Sequence, residues 1–151
     1  MRRMMDKIIG YTAGVYDMFH IGHLNILREA RKRCDFLIVA VSTDELVKKE
    51  KGKMPIVPFS ERKEIVQSIR YVDQVVPQPD KDKLAAWRRY RFDIMFVGSD
   101  WQGTPQWNQY ETELSPHGVI IQYLPHTEGV SSTILMRFIK YRYNLNGNYR
   151  F

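Results

Sequence analysis

Ala13-Gly14-Val15-Tyr16-Asp17-Met18-Phe19-His20-Ile21-Gly22-His23 is where this sequence changes its period. Before it, Ile8-Ile9-Gly10-Tyr11 is a short apolar run of strand character. After it, Leu24, Leu27, Ala30 and Cys34 recur at helical spacing. The stretch is therefore a strand-to-helix junction. Such a junction offers free backbone N–H groups and the positive end of a helix dipole, a setting that suits a phosphate. His20 and His23 bracket the helix start, three residues apart and so able to face one side. Gly22 between them lets a ligand come close to the backbone.

Outward from this junction the same alternation repeats. A first strand is expected over 7–12 and a first helix over 21–33. Phe36-Leu37-Ile38-Val39-Ala40-Val41 is an unbroken apolar run, as in a strand buried on both faces of a parallel sheet. Ser42-Thr43-Asp44-Glu45 reads as a helix start or turn, and 48–53 as a flexible basic loop closed by Pro55 and Pro58. Ser60 is placed to cap the next helix, with Ile65 and Ile69 as its apolar stripe. Further strands are expected over 72–76, ended by Pro77, then over 93–97 and 119–124. Helices are expected over 81–90 and 134–141, while 102–116 reads as loop plus a short helix. Strands and helices alternate five times, which predicts an α/β fold: a doubly wound five-stranded parallel sheet with helices on both faces. One domain over 7–141 and a polar C-terminal tail over 142–151 follow from the same reading.

Composition narrows the classes of function. A hydrophobic content of 44% is that of a soluble globular chain, and no apolar run is long enough to span a membrane. The single cysteine, Cys34, cannot form an intramolecular disulfide, and no apolar signal core follows Met1-Arg2-Arg3, so a cytoplasmic protein is expected. The net charge of +6 favours anionic partners: nucleic acid, anionic lipid or small phosphates. It is spread over separate clusters at 28–33, 48–53, 88–91 and 140–142, most of which read as solvated faces.

In a doubly wound sheet, ligands bind at the carboxyl ends of the strands. Four segments fall there: 14–23, 42–53, 98–101 and 125–133. His20 and His23 can donate to phosphate oxygens, and Lys51, before Gly52, lies where a loop could close. Ser131, Ser132 and Thr133 stand at a second helix start, and Asp100 could accept from ribose hydroxyls. No P-loop, dinucleotide glycine spacing, structural zinc set or activated nucleophile is present. Positioning and charge neutralisation remain as the available chemistry.

Five blocks in order resemble the cytidylyltransferases of the nucleotidyltransferase superfamily. They are the Gly14–His23 stretch, Val41-Ser42-Thr43-Asp44-Glu45, Arg70-Tyr71-Val72-Asp73-Gln74-Val75, Val97-Gly98-Ser99-Asp100-Trp101, and Leu124-Pro125-His126-Thr127-Glu128-Gly129-Val130-Ser131-Ser132-Thr133. The His-x-Gly-His tetrad also occurs in adenylyltransferases and class I aminoacyl-tRNA synthetases; the last block and Arg-Tyr-Val-Asp are narrower. The resemblance implies a Rossmann-like domain that transfers CMP from CTP to an alcohol phosphate, sn-glycerol 3-phosphate foremost, releasing pyrophosphate. It implies that backbone at Val15 and Tyr16, with His20, Gly22 and His23, cradles the CTP phosphates. Lys51 would bridge the α-phosphate and the incoming phosphate. Asp17, Lys49, Arg70, Asp73 and Lys83 would serve the acceptor side, Arg70 and Asp73 alternatively a dimer contact. Asp100 and Trp101 would lie near ribose and base, and His126, Thr127, Gly129, Ser131, Ser132 and Thr133 would wrap the triphosphate. A homodimer is implied, as is Mg2+ bound mainly through the nucleotide phosphates. The family often has arginine where this chain has His126, a weaker partner for a triphosphate when neutral. Other phosphate acceptors, an ATP-dependent adenylyltransferase, and a non-catalytic nucleotide- or nucleic-acid-binding module are the competing readings.

Overall fold

The computed structural model describes residues 6–143; the expected tail from 144 onward lies outside the described residues. The chain runs β1 (Ile9–Gly14), α1 (Ile21–Arg31), β2 (Phe36–Ser42), α2 (Asp44–Lys51), α3 (Phe59–Gln67), β3 (Gln74–Gln78), α4 (Lys83–Tyr90), β4 (Ile94–Gly98), α5 (Pro105–Leu114), β5 (Ile120–Leu124) and α6 (Ser132–Tyr143). All strand pairs are parallel and the sheet order is β3-β2-β1-β4-β5, a Rossmann-like arrangement. β1 and β4 are neighbours although they are not consecutive. The order reverses between them, and that gap is the ligand position of such sheets.

Alternation along the strands builds two cores. Leu37, Val39 and Val41 of β2 join Leu27 and Ala30 of α1 and Val66 of α3 on one face. Ile38 and Ala40 join Trp107, Tyr110 and Leu114 of α5 on the other. At the amino edge, three aspartates pin the register by accepting backbone N–H groups of neighbouring strands. Asp35 takes Ile8 at 2.8 Å, Asp93 takes Ile9 at 2.9 Å, and Asp73 takes Leu37 at 2.8 Å.

Five local expectations are corrected. Residues 48–51 are helix rather than loop: Thr43 caps α2 through Leu46 N at 3.2 Å, and buried Leu46 and Val47 anchor it. Gly52, at φ 73°, ends that helix in the left-handed conformation. Ser60 does not cap α3. Pro58 occupies the N-cap position, and the carboxylate of Asp44 accepts Phe59 N at 3.1 Å instead. Ile65 is exposed, because α3 buries Arg62 and Val66. Pro77 sits inside β3, which an edge strand tolerates, and α5 is a full ten-residue helix.

Candidate active site

A cavity of about 740 Å³ opens at the carboxyl ends of β1 and β4. Its floor is Thr12, Ala13 and Gly14 with Val97 and Gly98, and its walls come from the 15–23 turn, the 51–56 segment and the chain after β5. Thr12 Oγ1 donates to Phe96 O at 3.0 Å, tying the two central strands just below it.

The two histidines are the N-terminal cap of α1. His20 is the N-cap residue and its Nδ1 accepts Gly22 N–H at 3.0 Å; His23 Nδ1 accepts His20 N–H at 3.2 Å. This is a reciprocal capping box made of imidazoles. The rings stack with centroids 3.8 Å apart. Both Nδ1 atoms are acceptors, so the proton of each neutral ring is on Nε2, the ring atom away from the helix start. Both residues line the cavity, and their Nε2–H groups are the donors without formal charge that the cap leaves uncommitted. Burial, then the neighbouring His20, lowers the pKa of His23 to about 4, and burial lowers that of His20. Gly22 serves this cap first: a Cβ there would lie 2.8 Å from His20 Cε1. The turn leading in is tight, with non-glycine Tyr16 and Met18 at φ 56° and 47°. Buried Tyr16 packs its ring into the core cluster that includes Leu27 and Phe96, which offsets that strain.

Asp17 does not present a free carboxylate. Its two oxygens accept Ile56 N and Val57 N at 2.8 and 2.9 Å, clamping the far end of the lysine segment to the histidine turn. Arg62 completes the frame and was not legible in the sequence as a site residue. It is 1% exposed and donates to Val57 O, Val15 O and Ser42 O, all within 2.8 Å, and to Asp44 at 2.7 Å. Three carbonyls from separate segments leave no local motif. The only available signal was an arginine in an otherwise apolar position of α3.

After β5, Thr127 accepts Asn25 Nδ2 at 3.0 Å, Ser132 Oγ donates to Asp17 O, and Ser131 Oγ accepts Ile134 N at 3.0 Å as the cap of α6. Gly129 turns the loop at φ 77° without lining the cavity. Val15, Tyr16, Asp17, His20, Gly22, His23, Lys51, Asp100, Trp101, His126, Thr127, Ser131, Ser132 and Thr133 are all brought to the cavity. Trp101 is 48% exposed, so a ring face is open to a planar ligand.

Four expected acceptor residues are not brought there. Lys49 is exposed on α2 and does not line the cavity. Asp73 is at the opposite, amino edge, where it pairs Arg31 at 3.0 Å and holds Leu37; Arg70 lies three residues before it, also outside the cavity. Lys83 is 5% exposed, its ammonium 6.0 Å from the Tyr110 ring, and burial, then Lys81, brings its pKa down to about 8. It packs against Tyr110 of α5 and does not line the cavity. Among the described residues no three acidic, histidine or cysteine side chains converge as a metal set.

A stability consequence follows from the depressed His23 pKa. In the unfolded chain a histidine titrates near 6.5, so between about 6.5 and about 4 the unfolded state binds more protons. Its contribution is whole above that window and is lost as pH falls through it. Calorimetric melts from about pH 7 to about pH 5.5 should therefore show a falling Tm, with a shallower fall in His23→Gln. An identical slope in the variant would show that His23 is not the linked group.

Residues 11–138 match the Cytidylyltransferase-like family, and the chain belongs to that family. It is 35% identical over 130 residues to glycerol-3-phosphate cytidylyltransferase of Bacillus subtilis, spanning 85% of this chain and 93% of that one. It is 42% identical over 99 residues to FAD synthase of Pyrococcus abyssi, 65% of each chain. The crystal structure of the lipopolysaccharide core biosynthesis protein from Thermoplasma volcanium superimposes with a TM-score of 0.67 at 24% identity, covering 81% of this chain and 98% of that one. That likeness is one of fold. No helix among the described residues is long and apolar enough to cross a membrane.

Proposed function

We propose that this protein transfers CMP from CTP to an alcohol phosphate, with sn-glycerol 3-phosphate as the acceptor, giving CDP-glycerol and pyrophosphate. The observation that carries the reading is the imidazole capping box: two uncharged Nε2–H donors fixed at a helix N-terminus beside an exposed lysine segment. An acceptor phosphate oxygen attacks the α-phosphorus, and the bond to the β-phosphate oxygen breaks, releasing pyrophosphate. The acceptor is a phosphate monoester, largely dianionic at neutral pH, and needs no general base. His20 and His23 hold the α- and β-phosphate oxygens as negative charge gathers on them, and Lys51 neutralises the approach of two like-charged groups. Asp100 and Trp101 take the ribose and base. Mg2+ would be held mainly through the nucleotide phosphates, since no acidic, histidine or cysteine cluster among the described residues would hold it, and would supply further charge neutralisation there. The working unit is a homodimer in the cytoplasm.

The similarity to an FAD synthase supports one competing reading, adenylyl transfer from ATP. Pyrophosphate release from CTP and from ATP, each with glycerol 3-phosphate, phosphoethanolamine, another polyol phosphate and FMN, separates the two. CTP with glycerol 3-phosphate is expected to give a kcat/KM at least about tenfold above any other pair, a gap of about 1.4 kcal/mol. Turnover only with ATP would overturn the reading.

A further inference from the structure

The cavity has a wall that the histidine turn and the lysine segment do not explain. Thr133, Met136, Arg137 and Lys140 of α6 all line it. Their spacing of 0, 3, 4 and 7 is one stripe of a helix, so α6 turns a single continuous face to the cavity. Phe138 and Tyr141 of the same helix are exposed and do not line the cavity. Arg137 and Lys140 are exposed, and among the described residues neither has an ion-pair partner. The helix contains no acidic residue.

The balance of charge around the cavity gives this wall a purpose. The histidines donate hydrogen bonds but no charge, since each Nδ1 is committed to a backbone N–H. The lining carboxylates are Asp17, whose oxygens are taken by the 56–57 backbone, and Asp100. Formal positive charge comes from Lys51 and Lys53 on one side and from Arg137 and Lys140 on the other. The position expected to carry an arginine in this part of the chain holds His126.

We propose that Arg137 and Lys140 form a phosphate-binding pair that holds a phosphate group of a bound substrate from the α6 side. The group is either the distal phosphates of the nucleotide or the phosphate of the acceptor; the chemistry, cations on a poly-anion, is the same. The proposal rests on the nucleotidyl-transfer reading for its substrates, but binding alone tests it.

Titration calorimetry with CTP, inorganic pyrophosphate and sn-glycerol 3-phosphate is run on the full chain and on Arg137→Ala, Lys140→Ala, their combination and Arg142→Ala. Arg142 lies on the same helix without lining the cavity, so it reports any general effect of lost charge. Each single change is expected to weaken one ligand about tenfold and the pair about a hundredfold, with Arg142→Ala within about twofold of the parent. Arg137→Lys should recover part of the loss. Weakened CTP and pyrophosphate assign the pair to the nucleotide; weakened glycerol 3-phosphate alone assigns it to the acceptor. Unchanged affinity for all three ligands in the double variant overturns the proposal, as does a parent protein that binds none of them. Failure of the transfer reading looks different: pyrophosphate would still bind, and still be lost on double substitution, while no transfer from CTP occurs.

Discussion

His20→Asn and His23→Gln are expected to lose about 10²–10³ in kcat each while melting within a few degrees of the parent, about 1 kcal/mol or less in stability. The substitutions follow from the capping geometry. Asn is among the best N-cap residues, and its side-chain oxygen can take the Gly22 N–H that His20 Nδ1 now accepts. Gln is the ordinary residue at the third position of a capping box and can take the His20 N–H. Each variant keeps the cap and replaces the ring Nε2–H, held rigidly by that cap, with an amide NH2 on a flexible side chain. Alanine would remove both, costing about 1 kcal/mol of cap and mixing two effects. The predicted loss is the size of one donor aimed at charge that develops in the transition state. Steady-state pyrophosphate release and thermal melts on the same preparations decide it. Normal turnover in a well-folded variant would leave the histidines as a structural cap only.

Lys51→Ala is expected to reduce kcat by about 10²–10³ with no measurable change in Tm. Lys51 is exposed, lines the cavity and ends α2, and Gly52 closes that helix whatever residue precedes it. Little core depends on it, so stability and rate separate cleanly. Lys49→Ala, two residues back and outside the cavity, should change kcat by about twofold at most, the scale of an exposed charge. A severe Lys49 variant beside a mild Lys51 variant would move the catalytic cation to the other lysine; mild effects from both would remove the segment from the chemistry.

What the sequence revealed about this molecule, and what it hid, divides by the range of the interactions. The strand-to-helix junction at His20 was legible because period and dipole act over a few residues. The parallel sheet was legible because Phe36 to Val41 has to be apolar on both faces. α2 was hidden by its composition: Lys48-Lys49-Glu50-Lys51 looks like a solvated loop, and only Thr43, Leu46 and Val47 commit it to a helix. The start of α3 was hidden because its cap, Asp44, comes from fifteen residues upstream. Lys83 and Asp73 match acceptor-side residues by type, yet burial and register use them up elsewhere. The cations of α6 could not be assigned from spacing alone, because the chain does not say which helix face meets the cavity.

The Asp17 clamp has a consequence for the lysines it does not touch. Lys51 is the last residue of α2, Gly52 N–H donates back to Lys48 O as its cap, and Ile56 is held by Asp17, so only residues 53–55 lie between these anchors. A flexible tether of that length has an r.m.s. span of about 10 Å. The ammonium groups of Lys51 and Lys53 are thereby kept at an effective concentration of about millimolar or more near the cavity, whether or not it is filled. Little disorder is left to be given up when an anion arrives. Glycines inserted between Gly52 and Pro55 would dilute those cations, weakening binding while every contact in the site stayed available.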